Sequence, residues 1–246
     1  MLQYAHFRFF YSLNDFLSAK VQGSLVTYKF SGTPAIKDAI EAIGIPHTEV
    51  DVILANAEAV GFFYPLKNND RVEVYPALKN PVFPPYYSIS PPNTDRITFV
   101  ADVHLGKLAK ALRILGFDTC YQNNYSNKEI ASIAENENRI VLTRDVGLLK
   151  HKSLRWGYWL RSQKPEKQAE EVIEKFNLSK LIAPFKRCLA CNGEIESVEK
   201  EVVLEELPPK TIQYFNEFFR CSNCKKVYWR GSHYDHMMQI VRGLIK

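Results

Sequence analysis

Cys188 and Cys191 are separated by two residues, and Cys221 and Cys224 repeat that spacing. A thiolate pair so spaced grips one metal ion from a single turn, and two such pairs complete a tetrahedral zinc site. The competing readings are two disulfides or four buried thiols. Nothing in the chain suggests an oxidising compartment, which favours a structural zinc ribbon. Such a ribbon is an accessory, so the reactive chemistry is to be sought upstream.

There, Asp102 follows the apolar run Ile97-Thr98-Phe99-Val100-Ala101, and Asp145 follows Arg139-Ile140-Val141-Leu142-Thr143 with Arg144 between. In open α/β sheets, ligands bind beyond the carboxyl ends of strands. Were the two strands neighbours, the carboxylates would converge at one sheet rim. Clustered hard oxygen ligands suit Mg²⁺ or Mn²⁺. Such an ion polarises a phosphodiester, activates a water and stabilises a departing oxygen. The plainer role of either aspartate is to cap the helix that follows. Glu129 is a candidate third ligand, yet Ser126 and Glu129 also have capping-box spacing. Arg144 and Lys107 lie near the aspartates in sequence, placed to meet a phosphate or to serve as solvated surface charge.

The elements that must position these groups are readable from spacing. His6 to Phe10, Leu25 to Phe30, Val50 to Ala55 and Val72 to Tyr75 read as strands. Thr33-Pro34 reads as the start of a helix running to Ile43, closed by Gly44. A hairpin, a helix and further strands predict a β-grasp over residues 1–79. Asn80 to Asn93 holds five of the thirteen prolines, so residues 80–94 read as an extended linker. Beyond it, short apolar strands alternate with helices. One helix carries Leu105, Leu108, Ala109, Leu112 and Leu115 and stops at Gly116; others open at Ser126 and near Glu166. That alternation predicts a parallel-sheet α/β domain over 95–185, with a zinc ribbon over 186–246.

Composition bounds the function. Hydrophobic residues make up 46% and charged residues 24%, a globular balance. No apolar run reaches ~18 residues, so no membrane span is expected. The N-terminus lacks a signal-peptide core, and a cytoplasmic location is expected. Cys120 falls within a strand and reads as a packed thiol. The net charge of +5 is concentrated centrally: residues 95–185 hold 15 basic and 11 acidic side chains. Lys150, Lys152, Arg155, Arg161 and Lys164 accompany Trp156, Tyr158 and Trp159 with no acid among them. That mixture suits a polyanion with stackable bases, or a basic edge beside a buried aromatic strand.

Phe99-Val100-Ala101-Asp102-Val103-His104-Leu105-Gly106-Lys107-Leu108-Ala109, Leu115-Gly116-Phe117-Asp118-Thr119 and Val141-Leu142-Thr143-Arg144-Asp145 resemble the Mut-seven-C RNase family, a branch of the PIN-like nucleases. So do the cysteine pairs, Pro208-Pro209 between them, and Val227-Tyr228-Trp229-Arg230-Gly231-Ser232-His233-Tyr234. Phe7-Arg8-Phe9-Phe10, Pro46-His47-Thr48-Glu49-Val50-Asp51 and Asp70-Arg71-Val72-Glu73-Val74-Tyr75-Pro76 resemble the ubiquitin-like domain that precedes this RNase in some members. The resemblance implies a metal-dependent ribonuclease hydrolysing RNA with a metal-activated water. Asp102, Glu129 and Asp145 would be its catalytic acids, Mg²⁺ or Mn²⁺ its catalytic ion, and zinc its structural ion. Lys107, Arg144, Lys150 and Lys152 would bind RNA. A protein partner at the ubiquitin-like domain and pairing into a homodimer are further expectations. Asn127 stands where similar proteins often carry an acid, and Val146-Gly147 follow Asp145. The alternative reading is therefore a non-catalytic RNA-binding adaptor. The first strand group leads to Pro76-Ala77-Leu78-Lys79-Asn80-Pro81, not to a free Gly-Gly end, which argues against a sulfur carrier.

Overall fold

A computed structural model of the chain describes residues 2–77, 82–89 and 97–244; at residues 233, 236 and 240 it describes the backbone alone. The first elements are β1 (Gln3–Phe9), β2 (Val26–Phe30), α1 (Ile36–Ile43), β3 (Val50–Ala55), β4 (Glu58–Ala59) and β5 (Arg71–Pro76). They form a five-stranded sheet in the order β2-β1-β5-β3-β4, in which β1 and β5 are parallel and the other neighbours antiparallel. Residues two apart on a strand share a face. Ala5, Phe7 and Phe9 of β1 and Val72 and Val74 of β5 accordingly enter one core with Ile36, Ala39 and Ile40 of α1. Burying each of the larger side chains contributes about 1.5–3 kcal/mol. One helix lying on a mixed sheet with central parallel strands is a β-grasp, as the sequence predicts.

The helix begins later than its local signals indicate. Its first residue is Ile36, capped by Ala35, instead of the expected start at Thr33-Pro34. The Pro34 carbonyl accepts the Leu66 N–H at 3.0 Å, and Ala35 bridges to Pro65. This pairing across the chain holds Pro34-Ala35 extended, overriding the helix-start preference. In the expected linker, residues 80, 81 and 90–94 lie outside the described residues. Residues 82–89 include a 3₁₀ turn, Pro85–Tyr87, and lie on the β-grasp. The Ile89 N–H donates to the Asp51 carbonyl at 2.6 Å, and the Phe83 and Tyr75 ring centroids are 4.8 Å apart.

The middle of the chain supplies β6 (Phe99–Ala101), α2 (Gly106–Ile114), β7 (Thr119–Cys120), α3 (Asn127–Glu137), β8 (Ile140–Thr143), α4 (Val146–Leu149), β9 (Gly157–Trp159) and α5 (Pro165–Lys175). β6 runs parallel to β7, and β8 runs parallel to β9. Every residue of β6 and of β8 is buried, the pattern of parallel strands covered on both faces. The basic-aromatic run resolves into a strand, with Tyr158 of β9 buried. After α2, Gly116 adopts φ +94°, and a β-carbon there would stand 2.0 Å from the Ala183 carbonyl oxygen. Glycine is needed on both counts.

The last elements are β10 (Ile195–Val198), α6 (Lys200–Val203), α7 (Pro209–Tyr214), β11 (Phe218–Cys221), β12 (Val227–Trp229) and α8 (Ser232–Leu244). β10, β11 and β12 form an antiparallel sheet. The long interval between the cysteine pairs is not slack: α6 and α7 fill it, and Val203, Leu207 and Phe218 form a small core with Val227 and Trp229 against it. Pro209 occupies the first turn of α7, where its missing N–H is harmless.

The chain divides into two compact units that do not follow its order. One is Met1–Arg96 with Ala134–Trp159, and the other is Ile97–Ile133 with Leu160–Lys246. β8, α4 and β9 thus belong with the β-grasp. Among the described residues, no helix is long and apolar enough to cross a membrane.

Candidate functional site

The two cysteine turns share one backbone design. The Cys188 N–H donates to the Gly193 carbonyl at 2.8 Å, and the Asn192 N–H returns to the Cys188 carbonyl at 2.9 Å. Likewise the Cys221 N–H donates to the Lys226 carbonyl at 3.0 Å, and the Lys225 N–H to the Cys221 carbonyl at 3.2 Å. Asn192 (φ +69°) and Lys225 (φ +61°) take the same left-handed place after the second cysteine of each pair. The result is four Sγ atoms within 4.8 Å of one another, with Cys188 and Cys224 at 3.6 Å and Cys191 and Cys221 at 3.4 Å. A tetrahedral zinc with Zn–S near 2.3 Å sets its sulfurs about 3.8 Å apart. A disulfide needs about 2.05 Å. The sulfur donor set and its spacing fit zinc.

Electrostatics favours a cation there. Burial would raise the Cys188 thiol. Hydrogen bonds from the Tyr228 hydroxyl, at 3.0 Å, and from the Cys191 and Ala190 amides bring it down to about 6 instead. Burial pushes Cys221 up, with the neighbouring sulfurs adding to it. Four thiolates this close would repel each other strongly, so some of the cysteines favour the protonated thiol, and a divalent cation that displaces those protons offsets the repulsion.

The ribbon is fastened to the α/β elements of its own unit. Arg113 of α2 is 4% exposed and donates to three carbonyls: Thr119 at 2.9 Å, Leu189 at 3.2 Å and Ala190 at 3.3 Å. Asn192 accepts the Thr119 N–H at 2.9 Å and donates to Asp118 at 2.8 Å. Arg187 pairs with Asp118 at 3.3 Å. Arg113, Asn192 and Tyr228 are not legible as functional from sequence, because their partners lie far off in the chain.

Asp102 and Asp145 have similar local settings. Asp102 follows β6, is buried, and accepts the His104 N–H at 3.4 Å, capping the 3₁₀ turn Val103–Leu105. Asp145 follows β8 and Arg144, is exposed, and accepts the Gly147 N–H at 2.7 Å, capping α4. Both carboxylates are hard oxygen donors of the kind Mg²⁺ or Mn²⁺ takes. Glu129 stands in the first turn of α3 and completes the capping box: its Oε2 accepts the Ser126 N–H and hydroxyl, each at 2.7 Å. Those bonds, the backbone one foremost, hold its carboxyl below the usual range. Lys107, Arg144 and Lys152 are exposed. The Lys150 ammonium instead donates to the Glu41 carbonyl at 3.1 Å, at the end of α1.

That contact belongs to a seam within the first unit. Residues 46–49 are buried against the stretch 149–159. His47 Nε2 donates to the Leu154 carbonyl at 2.7 Å, while Nδ1 pairs with the Glu41 carboxylate. Burial holds the His47 pKa below its ordinary 6.5; Lys37 adds to this, and the Leu154 carbonyl and Glu41 oppose it. Thr48 Oγ1 donates to the Leu149 carbonyl at 3.3 Å. The Trp159 N–H donates to Glu49 Oε1 at 2.5 Å, and the Trp159 ring lies 5.1 Å from that of Phe16. A β-carbon on Gly157 would meet Leu149 Cδ2 at 2.4 Å and Thr48 Oγ1 at 3.3 Å, so glycine permits the close approach.

A β-grasp domain, an α/β segment whose parallel strands lead into aspartates, and a four-cysteine cluster whose sulfurs could hold a metal ion define a mixed α/β protein with a ribbon-like C-terminal module. Residues 97–241 match the Mut7-C RNAse domain, and residues 2–81 match the Mut7-C ubiquitin model. The chain belongs to the Mut7-C RNAse domain family, and that membership points to a nuclease-like function. No curated protein and no solved structure matches it.

Proposed function

We propose that the chain is a metal-dependent ribonuclease that hydrolyses RNA phosphodiester bonds. The observation that carries this is the shared setting of Asp102 and Asp145 inside the segment that matches the RNAse domain: each follows a parallel strand and caps the helical turn after it. Asp102, Glu129 and Asp145 would hold Mg²⁺ or Mn²⁺. When bound, that ion supplies Lewis-acid polarisation of the phosphate and a water of lowered pKa.

The remaining steps fall to the chain itself. Exposed Asp145 accepts a hydrogen bond from the attacking water and orients it in line with the 3′-oxygen. Arg144 and Lys107 offset the charge of the phosphate, and Lys152 holds the backbone further along. Lys150 steadies the segment that carries Arg144 and Lys152 through the Glu41 carbonyl. Cleavage on this course leaves a 5′-phosphate and a 3′-hydroxyl. Zinc in the four-cysteine cluster is structural.

The test is Asp145→Asn, followed by cleavage of a mixed pool of structured RNAs. Loss of at least about a hundredfold in rate is expected, and equal cleavage by both proteins would remove the assignment. Asn127 and Gly147, where further acids would strengthen an ion site, favour the second reading of a non-catalytic RNA-binding adaptor. Calorimetric titration with Mn²⁺ separates the two: micromolar binding lost in Asp102→Asn supports the nuclease.

A further inference from the structure

We propose that the ubiquitin-like domain positions the Asp145 motif, with Trp159 as the intermediary; this rests on the assignment of Asp145 as catalytic. The peptide group joining Arg144 to Asp145 is held at both of its polar ends. Its carbonyl accepts the Trp159 indole N–H at 3.2 Å, and its N–H donates to Thr143 Oγ1 at 2.9 Å. A peptide is planar, so fixing both ends fixes the plane and with it the position of the Asp145 α-carbon, while the Gly147 N–H, donating to the Asp145 carboxylate at 2.7 Å, holds the side chain itself.

Trp159 is in turn held by the ubiquitin-like domain. Glu49, 3% exposed, accepts its backbone N–H, and Phe16 lies against its ring. Strand pairing places Thr143 opposite Trp159 in the β8–β9 register, so both holders of the peptide come from one rung of the ladder. The chain of contact runs Glu49 and Phe16, Trp159, Arg144 carbonyl, Asp145. A buried carboxylate must find donors, so Glu49 cannot release the Trp159 amide without cost. Catalytic geometry tolerates little error, and a misplacement of about 1 Å can cost about a hundredfold in rate. Glu49, Phe16 and Trp159 are thus positioning residues, contributed on the domain side by a module that need touch no RNA.

The experiment uses the full chain. Trp159→Phe keeps a ring against Phe16 and removes the indole donor; Glu49→Ala removes the acceptor of the amide; Glu49→Gln restores one. Hydrogen exchange of the 144–149 backbone is measured by mass spectrometry, with kcat and KM for RNA cleavage alongside. Trp159→Phe and Glu49→Ala should each speed exchange there about tenfold and lower kcat about tenfold, with KM within about twofold. Glu49→Gln should stay within about twofold of wild type in both. Unchanged exchange and kcat in both disruptive variants would overturn the proposal. Faster exchange in a wild-type-like fold, in a protein whose cleavage ignores Asp145→Asn, would keep the positioning link and dismiss the nuclease assignment.

Discussion

A β-carbon placed on Gly193 would stand 2.9 Å from Asn223 Cβ and 2.9 Å from Cys221 Sγ. The two cysteine turns therefore meet glycine to side chain, and the four sulfurs close on one point because position 193 has no side chain. Gly193→Ala should wedge the turns apart. Metal analysis of the purified full chain should give about one zinc per wild-type molecule and well under half that for the variant. Equal zinc content would show that the turns part without losing the ion.

Arg113 satisfies three backbone carbonyls from a buried position. Arg113→Ala strands them and leaves a cavity, at a cost of about 2–4 kcal/mol. Urea unfolding followed by fluorescence should show this as a lower midpoint. Because the same guanidinium spans Thr119 and the first cysteine turn, chelating the zinc should also loosen β7. Faster exchange at residues 119–120 after chelation is the expected sign, and unchanged exchange would show that the ribbon and β7 are uncoupled.

Glu129 has two roles that one pair of variants separates. Gln supports a capping box as Glu does, so Glu129→Gln should keep the start of α3 intact. If the carboxylate also helps hold the catalytic ion, the same change should lower cleavage about a hundredfold. Ser126→Ala should do the reverse, fraying the helix start with cleavage nearly retained. Full cleavage by Glu129→Gln would confine this residue to the cap.

The seam at His47 should be sensitive to acid. In the unfolded chain this histidine titrates near 6.5, and burial lowers its pKa in the fold. Below about 6.5 the unfolded state therefore binds the proton more readily, and stability contributed here is complete above that pH and declines as pH falls through it. Glu41 and the Leu154 carbonyl temper the effect, and Lys37 enhances it. Melting temperatures between pH 8 and pH 5 should fall less steeply for His47→Gln than for wild type. Parallel profiles would place the acid sensitivity elsewhere.

Local signals carry much of the architecture. The cysteine spacing points to the ribbon, the apolar runs before Asp102 and Asp145 to β6 and β8, and Ser126 with Glu129 to a capping box that forms as spaced. What escapes depends on partners remote in the chain. The helix start near Thr33 is moved by Leu66, and Lys150 reads as a free cation until Glu41 is found beside it. Glu49 and Trp159 lie 110 positions apart, and no periodicity links an acid before one strand to an amide in another. The helices between the cysteine pairs escape because α6 is only four residues long and α7 six, too short for a periodic pattern to show.

Residues 149–159 are added to the growing chain long after the β-grasp that they cover. At translation speeds of roughly 5–20 residues per second, some 70 intervening residues take roughly 4–15 seconds. For that interval the nascent His47–Glu49 segment has no Leu154 carbonyl or Trp159 amide to meet. Rare-codon pauses after position 77 should lengthen this exposure and raise the demand for chaperones at the tunnel exit.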